Sequence, residues 1–163
     1  MKLFWNEETH LPDFVKLNNV WIDQFFELEE NDHRLAKDPG KIIRNGGHVL
    51  TIADNNRVVG CCALFKKENR TYEVARMAVC QSEQGKGIGK LLMNEILSFA
   101  KKIAARKLYL VSNTRLEAAI HLYKSFGFAI IYEGQHPSYR RGNIVMEKDI
   151  IADQCIEPAG TVQ

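Results

Sequence analysis

Three glycines in five residues, Gly85, Gly87 and Gly89, join a stretch that reads as a strand, Tyr72 to Val79, to one that repeats like a helix. In the second stretch, Leu91 to Ile103, the apolar residues Leu92, Ile96, Phe99 and Ile103 recur at i, i+4, i+7 and i+11, which is one helical face. Glycine permits close backbone approach and the φ values that turn successive N–H groups one way. A helix start adds unpaired donors and a partial positive charge. Strand, glycine-rich turn and helix start together form a cradle for an anion, suited to a pyrophosphate.

Two well-known cradles fit the neighbouring residues poorly. A P-loop needs Gly-Lys followed by Ser or Thr to reach magnesium, and here Gly89-Lys90 is followed by Leu91. A dinucleotide fingerprint built on Gly85 and Gly87 needs glycine or alanine where Lys90 stands. The plain alternative is a glycine-rich helix start with no ligand. Against it stand three backbone-entropy penalties in a single turn.

The 163 residues are enough for one domain with one good core. Residues 1–150 are read as that domain and 151–163 as a loose polar tail. The formal charge of +2 gives no general case for nucleic acid or an acidic membrane as partner. Cys61, Cys62, Cys80 and Cys155 make no Cys-x-x-Cys. They read as buried thiols in a reducing, cytoplasmic compartment, with adjacent Cys61 and Cys62 on opposite sides of a strand. Met1 to Leu11 holds no signal peptide, and nothing approaches a membrane span.

In chain order, Lys2 to Trp5 reads as a short strand and Leu11-Pro12 as a helix start, with Phe14, Leu17, Trp21 and Phe25 on one face. Glu27, Glu29, Glu30 and Asp32 read as a solvated acidic segment. Ile42 and Ile43 suggest a short helix that Gly46-Gly47 ends. His48 to Ala53, Val58 to Phe65 and Tyr72 to Val79 form an antiparallel meander of three strands. Beyond the glycine turn come a strand, Leu108 to Val111, and a helix bearing Leu116, Ala119, Ile120 and Tyr123. Two closing strands, Phe128 to Tyr132 and Ile144 to Glu147, flank a polar loop from Gly134 to Gly142. The expected class is α/β (α+β), with a mixed sheet flanked by helices.

The triplet Gln84, Gly87 and Gly89 fits Gln/Arg-x-x-Gly-x-Gly/Ala, which resembles the coenzyme A pyrophosphate loop of the GNAT superfamily of N-acetyltransferases. A second segment, Ala119 to Phe128, resembles that family's Ala-x-x-Leu-Tyr-x-x-x-Gly-Phe, and Glu73 to Val79 resembles its central strand. The resemblance covers roughly Val49 to Lys148. One departure is Leu116, where the family often has asparagine; Asn113 is the nearer polar candidate. The resemblance implies a mostly antiparallel sheet, splayed between the central strand and the parallel strand that follows. It implies a pantetheine arm lying in that gap. Backbone groups of Met77, Ala78 and Val79 would hold the arm. The N–H groups of Gln84, Gly85, Lys86, Gly87, Ile88, Gly89 and Lys90 would hold the pyrophosphate, with Asn113, Ala119 and Tyr123 completing the cofactor contacts. Lys86 and Lys90 read equally well as solvated lysines.

Acetyl transfer to an amine needs a base for the amine proton and an acid for the departing thiolate. Glu73 fits the base. Alternation places it on one strand face with Ala75, Met77 and Val79, where a carboxylate is odd unless it meets a cleft. The resemblance adds a catalytic glutamate at this offset; a strand-edge glutamate in solvent is the other reading. Tyr123 fits the acid, as a phenol able to donate to a thiolate, or else it is a core aromatic. The five histidines show no metal-ligand spacing, so no metal is expected. The expected function is acetyl transfer from acetyl-CoA directly to a primary amine of a small molecule or peptide, with a homodimer left open. A non-catalytic acyl-CoA-binding regulatory module is the alternative, and a nucleotide-binding protein a third.

Overall fold

A computed structural model describes residues 1–151, and the expected loose tail, with Cys155, lies outside the described residues but for Ile151. The elements run β1 (Lys2–Trp5), α1 (Leu11–Phe25), α2 (Glu30–Lys37), α3 (Lys41–Arg44), β2 (His48–Asp54), β3 (Arg57–Lys66) and β4 (Thr71–Val79). Then follow α4 (Ile88–Lys102), β5 (Lys107–Ser112), α5 (Glu117–Ser125), β6 (Ala129–Glu133) and β7 (Ile144–Asp149). The seven strands form one sheet in the order β1-β2-β3-β4-β5-β7-β6. Every neighbouring pair is antiparallel except β4 and β5.

Alternation along the central strands separates two cores. Leu50, Cys62, Leu64 and Val74 point toward α4, which buries Ile88, Leu92, Met93, Ile96 and Ala100 against them. Val49, Cys61 and Ala63 point the other way, onto Leu11 and Phe14 of α1 and Ile42 of α3. Cys61 and Cys62 thus serve opposite layers, as strand geometry requires. Helix α4 begins three residues before the expected Leu91, directly on the glycine turn, with Gly87 as its N-cap at φ 84°.

Two expectations are corrected. The Glu27–Asp32 segment is only in part a solvated loop: Glu27 and Glu30 are exposed, but Glu29 and Asp32 are not. Glu29 caps α2: its side chain accepts from the Asp32 backbone, while Asp32 accepts from the Glu29 amide at 2.8 Å, a reciprocal capping box. Asp32 is only 2% exposed. Nor does Phe25 join the core with Phe14; it is 40% exposed at the end of α1.

Candidate active site

Strands β4 and β5 run in parallel and share three rungs: Thr71 with Lys107, Tyr72 with Leu108, and Glu73 with Tyr109. Beyond Glu73 the strands separate, and a cleft of about 680 Å³ opens between them. Its β4 wall runs from Glu73 to Val79; Asn113, Ala119 and Tyr123 face it from the end of β5 and from α5. Gln84, Gly85 and Gly89 line its other end. Most of the expected site residues are therefore strung along one cavity, with Glu73 at the fork and Gly85 and Gly89 at the far side, whereas Lys86, Gly87, Ile88 and Lys90 are not in its lining.

The turn has the form of an anion cradle. Gly85 and Gly87 take φ values of 78° and 84°, left-handed conformations that side chains resist. A Cβ built on either meets nothing within 4 Å, so the space before the turn is open. From Gly85 to Lys90 no backbone N–H finds an acceptor among the described residues. The Gln84 side-chain Nε2 donates back to the Val79 carbonyl at 3.5 Å. Lys86 is exposed and pairs with Glu83 at 3.1 Å, and Lys90 is exposed. The Ile88 side chain is buried under α4, so only its backbone can serve a ligand.

Glu73 reaches the cleft by a different route from the expected one. Ala63 pairs with Ala75 and Cys61 with Ala78, so β4 carries one extra residue there, a β-bulge. Arg76 sits in it at φ 58°. The bulge reverses the alternation. Glu73 lies opposite Phe65 on the α1 side, whereas Met77 and Val79 pack toward α4. Glu73 therefore does not share a face with Met77 and Val79. A bulge is common beside active sites because it re-aims side chains; here it lets one strand present a carboxylate on one face and apolar side chains on the other.

Glu73 is not a solvent-edge carboxylate, being 2% exposed. Burial raises its carboxyl above the usual range, only partly countered by Lys67, the Tyr139 hydroxyl and Arg76. Lys67 Nζ is 3.8 Å from Oε2 and Tyr139 Oη donates to Oε2 at 3.3 Å. A carboxyl held up in this way takes a proton more readily than a solvated one. Tyr123 stands one helical turn after Ala119 and half-buried, edge-on to Phe128 with ring centres 6.2 Å apart. Burial raises its phenol, with Cys62 adding to the shift. Its hydroxyl has no hydrogen-bond partner among the described residues, so it is free for a ligand in the cleft.

Several residues at the site carried no sequence signal. Tyr139 and Arg141 come from the polar loop between β6 and β7. Arg141 donates to both oxygens of Asp32 at 2.8 Å and to Glu29 at 3.0 Å. Arg76, from the bulge, donates to Asp32 as well. Burial alone would push the Asp32 carboxyl up. The Arg141 hydrogen bonds, the Glu29 amide and the two guanidinium charges reverse that and hold it at about 2. One buried carboxylate thus ties α2, β4 and the β6–β7 loop together beside Glu73. Asn113 serves the same loop: its side chain donates to the Arg141 carbonyl and accepts from the Arg115 amide, both at 2.9 Å. The Glu29/Asp32 capping spacing was the one legible hint of this cluster.

The thiols divide by environment. Burial raises Cys61 to about 12 and Cys62 well above the ordinary thiol value. Cys80 departs from the expected burial: it is half-buried and lowered by hydrogen bonding to Ser82 and by Arg57, whose guanidinium is 2.7 Å from Sγ. Among the described residues, no group of three or more His, Cys, Asp or Glu is placed to hold a metal ion. No helix among them is long and apolar enough to cross a membrane.

Comparison with known proteins agrees with this geometry. The model of the acetyltransferase (GNAT) family matches residues 10–128. The chain belongs to the GNAT family of acetyltransferases. Over 120 residues it is 30% identical to YvbK of Bacillus subtilis, an uncharacterised N-acetyltransferase, covering 71% of this chain and 74% of that one. Among solved structures, a GNAT acetyltransferase from Staphylococcus aureus Mu50 superposes with a TM-score of 0.81 at 16% identity, covering 92% of this chain and 99% of that one. A GNAT phosphinothricin acetyltransferase from Sinorhizobium meliloti, in complex with acetyl-CoA, gives 0.76 at 17% identity, with 99% and 94% covered. At such identities the likeness speaks for the fold, the mostly antiparallel sheet with its single parallel pair.

Proposed function

We propose that this GNAT protein transfers an acetyl group from acetyl-CoA directly to a primary amine, with both substrates bound together in the β4–β5 cleft. The observation that carries the reading is the cleft itself, which opens at a buried carboxyl with a raised pKa, Glu73, and ends at the open Gly85–Gly89 turn. Acetyl-CoA would supply the acyl group as a thioester. The donors from Gly85 to Lys90 suit its pyrophosphate. The edge of β4 from Met77 to Val79 suits its pantetheine arm as a further strand would.

In this reading the amine enters from the α1 side, past Phe65 and Tyr139. Glu73 takes the amine proton as the nitrogen bonds to the thioester carbon. Tyr123 gives its hydroxyl proton to the sulfur as the C–S bond breaks, and regains one from solvent. A phenol and a buried carboxyl flanking one cleft give each proton an owner at each stage. Asn113, Arg141 and Asp32 hold the loop that carries Tyr139 and make no contact with reacting atoms.

The test is release of free thiol from acetyl-CoA across a panel of primary amines, alongside calorimetric binding of acetyl-CoA. Turnover with at least one amine is expected. Binding without turnover on any amine would overturn the catalytic reading, and stronger thermal stabilisation by ATP than by CoA would overturn the cradle.

A further inference from the structure

We infer that the acceptor is a primary monoamine carried on an aromatic body, not a polyamine or an amino sugar. This rests on the acetyl-transfer reading of the same cleft. Around Glu73 the α1 side of the cleft is built of rings: Trp21 and Phe25 from α1, Phe26 just after it, Phe65 from β3 and Tyr139 from the β6–β7 loop. Trp21 lies 5.6 Å from Phe25 and 6.3 Å from Phe26, centre to centre, so these form one continuous wall. Phe25 keeps 40% of its surface exposed, an apolar face that a ring-bearing ligand would cover. Such rings attract an ammonium on its way to the carboxylate and then bury the body behind it.

Charge argues in the same direction. An acceptor with several ammonium groups needs several unclaimed carboxylates. Near this wall, Asp32 and Glu29 are both taken by Arg141, and Asp32 also by Arg76. That leaves Glu73, buried at the floor with Lys67 Nζ 3.8 Å from its Oε2, and Glu117 at the rim. At the rim, Arg115 lies over the Phe26 ring, 5.4 Å from its centre, and has no carboxylate partner among the described residues. Glu117 lines the cleft from the first residue of α5, two positions from Arg115, so the rim carries one charge of each sign. One positive charge is accommodated at the floor, and the rim offers no net negative charge to hold a further one.

The experiment compares 2-phenylethylamine, butane-1,4-diamine and kanamycin as acceptors for the full chain with acetyl-CoA. The expected kcat/KM for 2-phenylethylamine exceeds the other two by about tenfold or more, the order of burying part of one ring. Phe25→Ala, at an exposed ring, and Trp21→Ala should each raise its KM while leaving acetyl-CoA affinity unchanged. Preference for the diamine or kanamycin overturns the aromatic acceptor and leaves acetyl transfer standing. Absence of turnover on every amine sinks the catalytic reading instead. Calorimetric binding of the same three amines to the CoA-loaded protein then judges the acceptor: tighter binding of 2-phenylethylamine supports the inference. Equal binding, tighter binding of the other two, or none overturns it.

Discussion

Asp32 and Arg141 lie 109 residues apart and meet through two hydrogen bonds of 2.8 Å, one to each carboxylate oxygen. This pairing fixes the β6–β7 loop over the cleft and brings Tyr139 to Glu73. It also gives Arg76 a counter-charge for its left-handed position in the bulge. Contacts that link three separate segments through one buried carboxylate are costly to break, because each guanidinium left behind loses its partner.

Asp32→Asn is expected to destabilise the protein by about 3 kcal/mol, the usual scale for breaking a buried pair from one side. The folded carboxyl is held at about 2, below its ordinary value of 3.8. Its stabilisation is therefore present above the ordinary value and lost as pH falls from there through about 2. Urea melts from pH 6 to pH 2 should show a shallower acid loss in the variant than in wild type. Equal acid slopes would mean that the pairing carries no linkage.

Glu73→Gln should slow the reaction at neutral pH, with partial recovery at high pH where more amine is already neutral. Its effect on stability should run the other way. A folded-state carboxyl raised by burial contributes stability below the ordinary carboxylate range, and this is lost as pH rises through the raised value. Above the raised value wild type carries a buried charge that Gln lacks, so there the variant should melt no lower than wild type. A clear drop in Tm together with parallel pH–rate profiles would make Glu73 a structural residue.

Tyr139→Phe removes the hydroxyl that donates to Glu73 at 3.3 Å. That hydrogen bond favours the charged carboxylate, so its loss should move Glu73 further up. The acid limb of kcat/KM against pH should shift to higher pH while the high-pH plateau stays near wild type. An unmoved limb would show that the ring matters only for packing.

Tyr123→Phe keeps the ring against Phe128 and deletes the hydroxyl proposed as proton donor. A general acid is worth about 10²–10⁴-fold, so kcat should fall on that scale with little change in the acetyl-CoA Kd. A kcat within a few-fold of wild type assigns the phenol to packing.

Gly87→Glu puts a side chain and a negative charge into the open space before the turn, at a φ of 84°. Calorimetry should find acetyl-CoA binding abolished in a protein that still melts cooperatively. Gly87→Ala separates the causes: it carries the backbone strain, about 1 kcal/mol, without the charge, and should retain measurable binding. Unchanged affinity in Gly87→Glu would rule out the cradle.

The sequence made the scaffold readable because most of it is local. Apolar runs bounded by turn residues announced β2 to β4, the helical spacing of Leu92, Ile96, Phe99 and Ile103 announced α4, and the spacing of Gln84, Gly87 and Gly89 marked the turn. The bulge at Arg76 was not readable. Its partners are long-range, Asp32 and the paired strand β3, and no residue type requires it. The same holds for Asp32, whose burial depends on Arg141 from the far end of the chain, and for Tyr139, which comes from a loop without periodicity. Glu73 was singled out on a grouping that the structure corrects: strict alternation put it with Met77 and Val79, and the bulge places them on opposite faces.

The three-rung ladder between β4 and β5 also divides the sheet into two rafts, β1 to β4 and β5 to β6, whose hydrogen-bond network is interrupted along most of one seam. Amides bordering the seam beyond Glu73 and Tyr109 depend on whatever lies in the gap for protection from solvent exchange. A molecule laid along it would complete the network and couple the rafts. Deuterium uptake on both banks should then slow together when the cleft fills, making the bound substrate a temporary strand of the protein that acts on it.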